Sequence, residues 1–123
     1  MDDVLLDVQG EVYEVGKSEL KGLNIIKMST EGVNVTLELP QDLLQIKERT
    51  KIRFIVSTSE DLERDMDGFF LCTIYKVEKH GKGKEESTMI YGSIGGLQVR
   101  IEGKGLHKKI RMRDKVFIGI KML

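Results

Sequence analysis

The residues with chemistry to offer are few. Two histidines, His80 and His107, stand in loop-like stretches and lack ligand partners at metal spacing. No Ser lies near a His in any nucleophile motif. Cys72 sits among Leu71, Thr73 and Ile74, where a small buried hydrophobe is the natural reading. Glu60, Asp61, Glu63, Asp65 and Asp67 crowd together with one Arg64. Like charges at that density repel, so Thr58 to Gly68 reads as a solvated, mobile acidic loop. The sequence therefore implies no catalytic set, no metal and no cofactor.

Binding chemistry is better represented. Arg100 and Glu102 follow the Gly95-Gly96 pair and share one parity with Gln98. Arg is favoured at interfaces, and glycines let a partner's backbone come close. The competing account is a solvated sheet face with an ordinary ion pair, worth little. A second candidate is a single nucleic-acid strand, held by stacking and a basic groove. Tyr13, Tyr75 and Tyr91 offer rings, and Lys104, His107, Lys108, Lys109, Arg111, Arg113 and Lys115 form a basic run. Against it, 20 Lys and Arg balance 20 Asp and Glu, whereas nucleic-acid binders usually carry a basic excess. A contact between the basic run and an acidic neighbour is the other use of those charges.

These side chains must be positioned by strands. The 123 residues contain no Ala and no Trp and are rich in Val, Ile, Leu and Gly, which points to an all-β domain. Alternation predicts strands over Val4–Val15, Leu23–Ser29, Val33–Leu39, Lys51–Ser57, Phe69–Glu78, two around Gly95-Gly96, and Lys115–Met122. In the fifth, Phe69, Leu71, Thr73, Tyr75 and Val77 share the face expected to be inward. Leu97, Val99 and Ile101 are expected inward after the glycine pair. Gln41–Glu48 reads as a short helix after Pro40, and Lys79–Ser87 as a mobile loop. One cysteine excludes an internal disulfide, and no apolar run approaches a membrane span. Met1-Asp2-Asp3 is acidic where a signal peptide would be basic, so a soluble intracellular protein is expected.

The two halves resemble each other. Gly96 lies 64 residues after Gly32, and the same offset relates Ser29 to Ser93, Val35 to Val99, Glu38 to Glu102, Ile46 to Ile110 and Lys51 to Lys115. Tyr13 and Tyr75, like Val15 and Val77, are 62 apart. The expectation is one domain, 1–123, of two half-repeats, about 1–57 and 69–123, flanking the acidic loop 58–68. Two four-strand units give eight antiparallel strands, and closure into a barrel removes their exposed edges.

Tyr91, Ser93, Gly95, Gly96, Leu97, Arg100, Glu102 and Gly103 match the pattern Y-x-S-F-G-G-L-x-x-R-L-E-G. Upstream, Thr73, Tyr75, Lys76 and Glu78 match G-T-x-Y-K-x-E. In both respects, and in their order and spacing, the chain resembles the eighth common subunit of eukaryotic nuclear RNA polymerases and its counterpart, the G-type subunit of archaeal DNA-directed RNA polymerase. Cys72 replaces the usual Gly and Ile94 the usual aromatic. The acidic stretch is shorter than the eukaryotic loop, which favours an archaeal member. The resemblance implies a barrel of two oligonucleotide/oligosaccharide-binding-like halves. It implies a non-catalytic subunit that docks on the largest polymerase subunit and supports assembly and stability. Tyr91, Ser93, Gly95, Gly96, Leu97, Arg100 and Glu102 then become the expected partner-binding set. Lys104, Lys108, Lys109, Arg111 and Arg113 belong to the nucleic-acid alternative.

Overall fold

A computed structural model describes residues 3–20, 22–112 and 114–123. Eight strands follow in order: β1 (Val4–Lys17), β2 (Leu23–Thr30), β3 (Val33–Pro40), β4 (Lys51–Ser57), β5 (Gly68–His80), β6 (Ser87–Ile94), β7 (Leu97–Gly103) and β8 (Lys115–Met122). All pairings are antiparallel, and the sheet closes in the order β1-β2-β3-β7-β6-β5-β8-β4.

The pairing scheme has a two-fold pattern. β1 pairs with β2 and β4, and β5 with β6 and β8; β2–β3 matches β6–β7. The seams β3–β7 and β4–β8 join the two sets. Residues 62 apart in β1 and β5, or 64 apart in the other strands, hold equivalent places. The ladder slips between Val12 and Glu14 in β1, and between Ile74 and Lys76 in β5. Tyr13 and Tyr75 are thus the extra residues of two equivalent bulges.

Inward side chains fill the barrel. Ile26, Met28, Leu37, Phe54, Ile101 and Ile118 are among those almost fully buried. Burial of each large apolar side chain stabilises the fold by about 1.5–3 kcal/mol. Cys72 belongs to this core, and burial pushes its thiol up to about 11.

Two expectations fail. Gln41–Glu48 forms no helix: a turn follows Pro40, then chain without regular secondary structure. Leu44 and Ile46 pack on the core there, but two apolar contacts do not require a helix. A short 3-10 helix lies instead in the acidic segment, at Glu60–Asp65, where the Ser59 side chain caps it by accepting from the Asp61 N–H at 3.1 Å. The second failure is the facing of β5. Cys72 and Ile74 point inward, while Leu71 and Tyr75 are 53% and 45% exposed. Phe69 stacks outside on Phe117, with ring centroids 5.2 Å apart. Val77 packs on the core from beyond the Tyr75 bulge. Its parity, carried back through the bulge, puts every earlier residue on the wrong side.

Candidate partner-docking face

β6 and β7 form a hairpin whose two-residue loop is Gly95-Gly96. Both have left-handed φ, 56° and 96°. Turns of this kind match the twist of the flanking strands. The Gly96 N–H donates to Ser93 Oγ at 3.0 Å, so Ser93 fixes the turn. No atom lies within 4 Å of a Cβ placed on either glycine, so the constraint is the backbone angle and the outer space is open.

From the turn, alternation sends Val99 and Ile101 into the core and leaves Gln98 and Arg100 exposed, with Glu102 and Leu97 between. Arg100 stands opposite Tyr91 on β6 and Thr36 on β3. Lys76 flanks Tyr91, and Lys27 flanks Thr36. One outward row therefore crosses five strands: Lys76, Tyr91, Arg100, Thr36, Lys27.

The electrostatics of the row are uneven. Lys76 Nζ lies 5.3 Å from the Tyr91 ring centroid and 2.6 Å from Glu78. Their hydrogen bond raises the Lys76 pKa and lowers that of Glu78. Lys27 pairs with Glu14 at 3.1 Å. Among the described residues, Arg100 and Glu102 make no ion pair and no side-chain hydrogen bond. The charges meant for an ordinary cross-strand pair are thus open to solvent.

Beside the row, Tyr75 tilts against Tyr91 with centroids 6.2 Å apart, and its hydroxyl donates to Gln98 Oε1. The Gln98 N–H donates to the Glu38 carboxylate at 2.9 Å. Together these residues line a groove of about 440 Å³ with Ile25, Lys27 and Thr36. A smaller hollow of about 160 Å³ holds Tyr13, Asn34, Met89 and Glu102, and Arg100 lines both. Such a surface offers aromatic faces, one free guanidinium and carboxylates to a partner's side chains. Among the described residues, no cluster of His, Cys, Asp or Glu is arranged to hold a metal ion.

Of the residues expected from sequence, Tyr91, Arg100 and Glu102 share this face. Ser93, Gly95 and Gly96 form its tip, and Leu97 is half-buried opposite Ile94. The basic residues lie elsewhere. Lys104 and Lys108 line a separate hollow with Glu86 and His107. His107 Nδ1 is 2.9 Å from the hydroxyl of fully buried Thr88, so this histidine also braces the fold. Lys109 and Arg111 are exposed; Arg113 lies outside the described residues. Sequence reasoning missed Lys27, Thr36 and Glu38. Their outward parity on β3 and β2 is readable, but the β3–β7 seam that brings them to Arg100 is not.

The sequence model of the RpbG family, the G-type subunits of DNA-directed RNA polymerase, matches residues 5–122. The chain belongs to that family. It is a component of a multisubunit RNA polymerase, and the Tyr91–Glu102 hairpin is a feature of a polymerase component. No curated protein sequence matches this one. Among solved structures, the cytoplasmic molybdate-binding protein ModG aligns over 94% of this chain and 89% of its own, at 11% identity and a TM-score of 0.37. None of the described helices is long and apolar enough to cross a membrane.

Proposed function

We propose that this subunit is a non-catalytic part of the polymerase that docks on the largest subunit and supports assembly and stability of the enzyme. The docking face is the outer surface of β6 and β7, with Tyr91, Arg100 and Glu102 in contact and the Ser93–Leu97 turn at its edge. The observation that carries the reading is Arg100: exposed, unpaired among the described residues, and central to a row that ends in ion-paired lysines. A partner carboxylate would complete it. The same reading takes the chain as one domain of two half-repeats, acting in the cytoplasm of an archaeal cell with the nucleoid-bound polymerase.

The test is reconstitution of the polymerase from purified subunits with Arg100→Ala and Arg100→Glu, beside thermal melts of the free subunit. The expected result is normal melting and weaker recovery with the core. Wild-type recovery of both variants would sink this docking face. A second reading, weak contact with a single nucleic-acid strand, draws on Tyr75 and Tyr91 beside Lys27 and Arg100 in one groove, with Lys76 over the Tyr91 ring. The separation of the Lys104–Arg111 run from those rings weighs against it. Labelled single strands titrated over a salt series test it, and no binding near physiological salt removes it.

A further inference from the structure

Phe69, Leu71 and Phe117 form an apolar patch outside the barrel, on β5 and β8. Leu71 stands opposite Phe117, and Phe69 opposite Gly119. Their equivalents in the other half are Gln9 opposite Arg53, and Asp7 opposite Ile55. There the barrel carries a two-pronged ion pair: Arg53 Nε and Nη2 donate to Asp7 Oδ1 and Oδ2 at 2.9 and 2.7 Å. The same two places in the same kind of ladder thus hold charge in one half and stacked phenylalanines in the other. The fold accepts either, so it does not demand the apolar set.

The acidic segment runs along this patch. It is pinned to the β4–β8 side at both ends. Ser57 Oγ accepts from the Ser59 N–H at 3.0 Å. The Asp67 N–H donates to the Ile120 carbonyl at 2.8 Å, and the Asp67 carboxylate accepts from the Met122 N–H at 2.6 Å. Met66 sits over Gly119, where a Cβ would come within 2.9 Å of its sulfur. Outward-facing Ile55 is 1% exposed. Leu71 stays 53% exposed, and Phe69 and Phe117 stay half-covered. Residues 60–67 carry five acids and one Arg, a net charge of −4. Among the described residues none of these acids is in a salt bridge.

We propose that the Phe69–Leu71–Phe117 patch and the acidic strap beside it bind an amphipathic segment of another polymerase subunit, with its apolar side chains on the rings and its Lys or Arg toward Glu60–Asp65. The proposal rests on membership of the polymerase, not on docking through Arg100. Charge complementarity selects this occupant. Nucleic acid is repelled by the strap. A second copy of this chain, related by a two-fold axis, would bring strap toward strap.

The probe is polymerase core reconstituted without this subunit. Leu71→Glu changes an exposed side chain and should melt as the wild type yet bind the core at least tenfold more weakly. The pair Phe69→Asp with Phe117→Arg introduces the chemistry of Asp7 and Arg53 and should behave likewise. Should that pair melt early, Leu71→Glu alone decides. Reversal of Glu60, Asp61 and Glu63 to Lys should also weaken binding and flatten its salt dependence. A photo-crosslinker at position 71 should label a segment of another subunit bearing Lys or Arg. Wild-type binding by Leu71→Glu overturns the proposal, as do crosslinks to a second copy, to nucleic acid or to a segment without basic residues. Arg100→Ala run in parallel reports on the other face separately.

Discussion

Asp7–Arg53 and Phe69–Phe117 occupy matching corners of one barrel and share nothing chemically. Their inward neighbours are apolar in both halves: Leu6 and Val8 beside Asp7 are buried, and beside Phe69 Gly68 is buried and Phe70 packs on the core. The lesson is a division between the two sides of the sheet. Inward positions answer to packing: they stay apolar in both halves, and where Gly68 replaces a leucine the side chains of Leu44 and Phe70 fill the space. Outward positions answer to whatever lies outside, and the two halves have parted there.

The sharpest way to break that division is from inside. Leu37→Ala and Phe54→Ala remove fully buried side chains and should each cost about 3–5 kcal/mol in denaturant melts. A loss under about 1 kcal/mol in either would show that the inward side is not the constrained one. Next comes the hairpin backbone. Gly96→Val forces a β-branched residue to a φ of 96° and should cost about 1–2 kcal/mol, with poorer recovery in reconstitution as well. An unchanged melt would mean that the turn can take another shape.

The ion-paired corner should give a smaller effect. Asp7 and Arg53 are over a third exposed, so the pair is worth about 0.5–1 kcal/mol in a double-mutant cycle with Asp7→Asn and Arg53→Gln. Hydrogen bonding from Arg53 holds the Asp7 carboxyl below its ordinary pKa. Its stabilisation is therefore full above the ordinary aspartate value and fades as pH falls through the lower folded value. The gap between wild type and Arg53→Gln should close in that acid range. A gap that persists below it would point to packing of the Arg53 stem. The smallest effect belongs to Arg100→Ala in the free subunit, under about 0.5 kcal/mol. Its loss on assembly should be about 2 kcal/mol or more, roughly thirtyfold in affinity, as for a desolvated Arg at an interface.

Sequence periodicity reveals the eight strands because most of them keep one parity over their pairing length. Val35, Leu37 and Leu39 face inward as alternation requires, and Arg100 outward. β5 escapes the rule because a bulge is invisible to a count of two. The repeat holds the correction: Tyr13 follows inward Val12 and breaks the same rhythm in β1. Gln41–Glu48 mimics a helix because Leu43, Leu44 and Ile46 look amphipathic over too short a span to fix a period. Leu43 is 52% exposed. At the proposed docking face, Tyr91 and Arg100 are legible from the hairpin alone. Lys27, Thr36 and Glu38 are not, because closure is a property of the whole sheet and leaves no local mark.

The two seams also set a clock. β3 and β4 find their closing partners, β7 and β8, only after about 65 more residues are made: Leu37 pairs with Val99, 62 residues on, and Ile52 with Met122, 70 residues on. At a synthesis rate of about 5–20 residues per second, the first half waits about 3–13 seconds with both edges bare. Strand edges in that condition are templates for any passing strand. β4 itself carries Lys51 and Arg53 outside the core, along its edge. On the ribosome their charge would keep that waiting edge from pairing with the wrong chain.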